Sequence, residues 1–231
     1  MRREKYLDSS EILGASASPS GHDMEGIMLT IVDYNGGNLR SVKRACDAVQ
    51  VESVFSSDPD VLRRADRIIF PGVGHAKTAA DTLKTSGLGE ALLESVHRGT
   101  PVLGICVGAQ LMLDGSDEGD ALGLGIMPGR VRLFNLEDKS LKVPHIGWNG
   151  VRKSQEHSLM AGLNSGDELY FVHSYFMQPT DSSHIFATCN YGEDFVCAIG
   201  KDNVFATQFH PEKSGKFGLD VLKRFSTWEG N

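Results

Sequence analysis

The chain has 231 residues, 40% hydrophobic and 23% charged, an ordinary globular composition with room for one substantial α/β core but not two full domains. Its 23 basic and 30 acidic residues leave a net charge of −7. That balance argues against nucleic acid or an anionic membrane as partner, and no apolar run approaches the ~18 residues of a membrane helix.

Residues 1–27 are polar, rich in Ser and Gly, and lack the continuous apolar stretch of a signal peptide. They read as a flexible extension or tag, with Met28 as an alternative start and a single domain expected over 28–231. From Met28, strand-like MLTIVD is followed by helical NLRSVKRACDAVQ, strand-like VESVF, a short helix from Pro59, and strand-like RIIF. This alternation predicts a parallel sheet with crossover helices. RIIF runs into PGVGHA (71–76), and PVLGI (101–105) runs into CVGAQLML, so both junctions put unusual chemistry at the carboxyl end of a strand, where open α/β sheets hold ligands. Further on, VRLF, ELYFVHSYF, IFATCNY, FVCAIG and NVFATQFH read as strands extending the sheet in mixed or antiparallel fashion. An amphipathic helix, GLDVLKRFSTW, closes the chain.

Cys46, Cys106, Cys189 and Cys197 form neither a CxxC pair nor a compact framework, so neither a zinc site nor a disulfide scaffold is indicated and a cytoplasmic location is expected. In LGICVGAQ, Cys106 sits where a buried strand turns abruptly into a helix, flanked by small residues. An elbow of this kind holds a nucleophile in a strained position, and the N–H groups of the helix start favour its thiolate. A nucleophile needs a base. His210 follows the last apolar run, Pro211 stops the strand from continuing, and Glu212 is placed to orient the imidazole. Gly72 and Gly74 free the peptide between them, so the N–H near Val73 can point at a developing oxyanion, with the N–H of Val107 as second donor. PGVGHA is not a phosphate loop, because GxxxxGK[ST] is absent, and DGSDEGD (114–120) fails as an EF-hand because its twelfth position is Gly125.

FPGVGH, GICVGAQ and FHPEKS, in this order and spacing, resemble the class I (triad) glutamine amidotransferases over about residues 28–231. The resemblance implies a flavodoxin-like three-layer sandwich. It also implies Cys106 as nucleophile, His210 as general base, Glu212 as its orienting carboxylate, Val73 and Val107 as oxyanion donors, and Gly72, Gly74, Gln110, His173 and Ser174 around the substrate glutamine. No cofactor or metal is called for. DYNGGNLRSV, PGVGHAKTAADTLKTSGL, VPHIGWN and YFVHSY are similar to one branch of that family, the glutaminase subunits of imidazole glycerol phosphate synthase. The branch implies a heterodimer with a (β/α)₈ synthase subunit that receives ammonia and forms imidazole glycerol phosphate and aminoimidazole carboxamide ribotide. Asn35 stands where the branch has Gly.

PHIGWN reads by itself as a rigid turn bearing an aromatic, either an interface anchor or, as the residues alone favour, a core tryptophan beside a tight turn. By the resemblance this segment faces the synthase, with Pro144, His145, Trp148, Asn149 and Lys213 at the interface. Three other readings fit the residues: a paralogous subunit feeding ammonia to surface-polysaccharide sugar modification, a stand-alone thiol hydrolase of γ-glutamyl compounds, and a non-catalytic scaffold subunit. The scaffold is disfavoured by the presence of Cys106, His210 and Glu212 together.

Overall fold

The computed structural model describes residues 28–36 and 38–230; the extension expected over residues 1–27 lies outside them. In the first half, strand β1 (Leu29–Val32), helix α1 (Leu39–Ala48), β2 (Val54–Ser56), α2 (Pro59–Arg64), β3 (Arg67–Gly72), α3 (Ala76–Ser86), α4 (Leu88–His97) and β4 (Val102–Cys106) alternate, as the pattern predicts. A single turn, α5 (Val107–Gln110), is followed by the short strands β5 (Gly115–Ser116) and β6 (Ala121–Leu122). The rest is mainly extended: β7 (Gly129–Leu133), β8 (His145–Lys153), β9 (Glu168–His173), β10 (Tyr175–Pro179), β11 (Ile185–Asn190), β12 (Asp194–Lys201) and β13 (Val204–Thr207), closed by α6 (Gly215–Phe225).

The local reasons are ordinary ones. In α1, Val42, Ala45 and Cys46 recur on one face and are buried. Asp58 caps α2 by accepting from the Asp60 N–H, with Pro59 in the first helical position. The strands β1, β3 and β4 are buried along their whole length, as strands covered on both faces must be, so they read as apolar runs rather than alternations.

The sheet runs in the order β2-β1-β3-β4-β13-β12-β10-β7-β5-β6, and β2 through β13 pair in parallel. Beyond β13 the neighbours β12, β10 and β7 are antiparallel, and β11 and β8 branch from β12 to carry β9. Chain direction across the sheet reverses after β2. Because parallel crossovers are right-handed, α1 and α2 therefore lie on opposite faces. Accordingly α1 packs with α6, while α2 and α3 pack with α4, giving three layers. Phe70, Phe171, Phe195, Phe205, Phe209 and Phe225 are fully buried between the layers, each contributing about 1.5–3 kcal/mol of apolar transfer.

Two sequence expectations change here. ELYFVHSYF is not one strand: it breaks at Ser174 into β9, which pairs only with β8, and β10, which lies between β12 and β7. PHIGWN is not a turn, because His145 to Asn149 are the first half of the nine-residue strand β8. Pairing with β9 along that stretch accommodates both the glycine and the indole, which the Pro and Gly in the sequence had concealed.

His145, His157 and His173 are held neutral by burial, which pulls their pKa values down from 6.5 to about 4, about 4 and about 3. The unfolded chain takes up protons on these rings as pH falls below 6.5, while the native one resists until about 4, so stability is lost across that window. His157 stacks on Phe205 with 4.2 Å between ring centroids, and its Nδ1 accepts from the Leu159 N–H. The expected result for His157→Asn, which keeps an acceptor for that N–H but does not titrate, is a lower Tm at neutral pH with a shallower fall between pH 6.5 and 4.5. Melts across that range check it; an unchanged slope would remove His157 from the account.

Candidate active site

The carboxyl ends of β3, β4 and β13 converge, with Gly72 in register with Cys106 and Thr207 with Ile105. Cys106 ends β4 at φ 54, ψ −110, a conformation side chains avoid, and is 4% exposed. The elbow is kept open by Gly108: a Cβ there would stand 1.9 Å from the Phe70 carbonyl oxygen of β3. The helix after the elbow is shorter than CVGAQLML suggests, a single turn from Val107 to Gln110. No long helix stands behind the thiol. What remains is the orphan N–H set of the first turn, including that of Val107.

His210 follows β13 and is 1% exposed. Its Nδ1 lies 2.8 Å from Oε1 of Glu212, whose side chain is equally buried. The Glu212 Oε1 also accepts from the Asn38 amide at 3.0 Å. Burial works against the imidazolium, but interaction with Cys106 and with Glu212 outweighs it and raises the His210 pKa to about 10. The His210 Nε2 is buried and has no partner of standard hydrogen-bond geometry among the described residues, and the Cys106 side chain is the neighbour whose interaction most favours its protonation.

Around the sulfur is a cavity of about 230 Å³ lined by Val73, Gly74, Cys106, Val107, Gln110, Glu118, Pro144, Val172, His173, Ser174 and Tyr175. Its size suits a single small metabolite. Surface hollows of about 520 and 610 Å³ lie elsewhere, but neither contains a cysteine or a histidine. Gly74 has φ +97, open to glycine, and its Cβ position is free of contacts. Gly72 is tight instead: a Cβ there would lie 2.4 Å from the Tyr34 hydroxyl.

The hydrogen bonds of the lining set its polarity. The Gln110 amide nitrogen donates to the Tyr175 carbonyl at 2.9 Å and to Oε1 of Gln208 at 3.1 Å. His173 Nδ1 lies 2.8 Å from the same Tyr175 carbonyl, so it carries the proton, and Nε2 is left to accept from His145 Nδ1 at 3.2 Å. His145 is thus an inward residue, 3% exposed and stacked 4.0 Å from Tyr191. Its expected place on an outer interface is corrected by the strand alternation of β8, which turns Ile146 and Trp148 outward at 61% and 52% exposure. Trp148 meets Tyr170 edge-on at 6.0 Å, and Lys213 Nζ lies 5.4 Å from the Tyr170 centroid. Asn149, partly buried, donates to the Asn190 carbonyl, and exposed Pro144 stands at the cavity edge.

Four residues at the site were not picked out in the sequence. Asn38 and Tyr34 belong to DYNGGNLRSV, where the motif was visible but the partner of each side chain was not. Asn35, the departure from Gly, adopts φ 62 with its N–H bonded to Asp33, and Asn tolerates this region well enough to keep the turn. Glu118 comes from the acidic run that fails as an EF-hand, and its carboxylate takes the Ala76 N–H at the start of α3. Gln208 is wholly buried two residues before His210.

The residues match the family described as "Glutamine amidotransferase class-I" over 30–227. Curated relatives named "Imidazole glycerol phosphate synthase subunit HisH" include that of Nitratidesulfovibrio vulgaris, 47% identical over 203 residues, covering 86% of this chain and 95% of the relative. That of Dechloromonas aromatica is 42% identical over 214 residues, covering 89% and 99%. Among solved structures, a glutamine amidotransferase superposes with a TM-score of 0.68 at 16% identity, covering 88% of this chain and 100% of its own, a likeness of fold. With the family matched across nearly all the described residues and relatives this similar along their whole length, the chain belongs to the class-I glutamine amidotransferases, in the branch of its HisH relatives.

Proposed function

We propose that the chain is the glutaminase subunit of an imidazole glycerol phosphate synthase, acting in the cytoplasm through its 28–231 domain. The observation that carries the reading is the buried Glu212–His210 pair facing a strained cysteine on a cavity of about 230 Å³. Cys106 Sγ attacks the side-chain amide carbon of glutamine, and the N–H groups of Val73 and Val107 hold the resulting oxyanion. The imidazolium of His210, steadied by Glu212, protonates the departing nitrogen, which leaves as ammonia. Water then gives a proton to His210 and attacks the thioester, releasing glutamate and restoring the thiol. Gln110 keeps its carbonyl oxygen for the substrate, and Glu118 offers a carboxylate to the substrate's ammonium.

Ammonia passes to a (β/α)₈ synthase subunit docked beside Pro144, where the exposed Ile146, Trp148 and Lys213 lie. The test is glutamine turnover by the chain alone, with the synthase, and with synthase plus its ribotide substrate. The expected result is activity that requires the partner and yields imidazole glycerol phosphate; equal turnover without the partner would favour a stand-alone hydrolase. Truncating a half-exposed interface indole removes about 2 kcal/mol of binding, so Trp148→Ala should weaken synthase affinity about 30-fold without lowering Tm. Titration calorimetry measures it, and unchanged affinity would place the partner elsewhere.

A further inference from the structure

We infer that Gln208 is a further catalytic residue, one that holds the Cys106 thiolate through a side-chain N–H bond. The inference rests on the glutaminase reading for its consequence in turnover, but not for the bond itself. Gln208 Nε2 lies 3.7 Å from Cys106 Sγ.

A primary amide has a donor end and an acceptor end of nearly equal size, and its neighbours decide which one faces the sulfur. Here the choice follows from a backbone carbonyl. The Tyr175 oxygen can only accept, so the Gln110 end bonded to it is the nitrogen. The same nitrogen bonds Gln208, so the Gln208 atom facing it is the oxygen, and the nitrogen of Gln208 faces the sulfur. The His173 N–H on the same Tyr175 carbonyl, with His145 behind it, holds that anchor from the other side.

A packing role explains this arrangement poorly. Gln208 lies between Thr207 and Phe209, all three without solvent exposure, where a primary amide is costly unless its hydrogen bonds are made. A thiol is a weak acceptor, and the Val172 carbonyl lies 3.9 Å from the sulfur on its donor side. Only the ionised sulfur satisfies the Gln208 donor fully. The side chain therefore favours the thiolate and fixes its position, with His210 as the other charge-bearing neighbour.

The test uses the full chain with Gln208→Met, which keeps the shape and removes the donor, and Gln208→Glu, which keeps the acceptor for Gln110 and turns an oxygen toward sulfur. The pH dependence of Cys106 alkylation by iodoacetamide, assigned by peptide mass, reads the thiolate without reference to glutamine. A hydrogen bond to a charged group is worth about ten- to a hundred-fold. The alkylation midpoint should therefore move to higher pH by about one to two pH units in both variants. In the synthase complex kcat should fall about ten- to a hundred-fold with KM nearly unchanged. A parent-like alkylation profile in either variant with native Tm overturns the assignment. Absence of glutamine turnover in the parent complex, with the alkylation shift present, would instead overturn the glutaminase reading and leave the bond standing.

Discussion

Cys106→Ala is expected to remove glutamine hydrolysis from the synthase complex, lowering turnover by about 10⁴-fold or more. Loss of the nucleophile is not graded, because the buried imidazole of His210 and the N–H groups at Val73 and Val107 then have no covalent intermediate to stabilise. The same change should leave Tm within a few degrees of the parent. Among the described residues the sulfur's hydrogen bonds are long, 3.7 Å to Gln208 and 3.9 Å to the Val172 carbonyl, and alanine at φ 54 is strained no more than cysteine. Steady-state glutaminase assays with partner and ribotide, beside a thermal melt, give the answer. Residual turnover within tenfold of the parent would mean that water, not Cys106, attacks the amide, and the proposed chemistry would fail. Ammonia supplied in solution should still support the synthase reaction in the mutant complex, which separates a lost nucleophile from a lost interface.

Gly108→Ala should have the largest effect on stability. In a helix, Ala is favoured over Gly by about 1 kcal/mol, so the local preference alone predicts a gain. The tertiary contact reverses the sign. The new Cβ would lie 1.9 Å from the Phe70 carbonyl oxygen and 2.8 Å from its carbon, atoms of a backbone held in register between β1 and β4. Relief requires β3 or the elbow to move, and overpacking against backbone rather than a flexible side chain falls at the costly end of such changes, about 3 kcal/mol or more. At about 2–4 °C per kcal/mol for a domain of this size, Tm should drop by roughly 10 °C, with activity falling because Cys106 is displaced. A melt by circular dichroism decides it; an equal or higher Tm would show that the elbow has room the structure does not indicate.

Much of the fold was legible because its signals are local. The parallel half alternates apolar strands with amphipathic helices, and the strands are continuous apolar runs because both faces are covered. The antiparallel half was legible as strands but not as pairings. Ser174 splits one run between two neighbours, and β8 hides in a segment containing Pro and Gly because its extended form depends on β9 alongside it. Of the candidate site, Cys106, Gln110, Val73, Val107, His173 and Ser174 all reach one cavity, and His210 and Glu212 pair beside it. Those residues carry motif signals within a few positions of one another. Asn38 and Gln208 lie in or beside motifs too, but their partners do not: Asn38 meets Glu212 across 174 positions and Gln208 meets Cys106 across 102, so no window of sequence contains either pair.

Residue type and short spacing were enough for the chemistry: a thiol at a strand-to-helix elbow, a base two residues before its carboxylate, and the glycines that crowd or free the peptide around them. The chain carries these properties wherever it goes. Which way His145 faces, how long the helix behind Cys106 runs, and which amide reaches the sulfur emerge only in the folded molecule. They depend on strand register and on the direction of a few hydrogen bonds, fixed when distant segments share one buried, low-dielectric space.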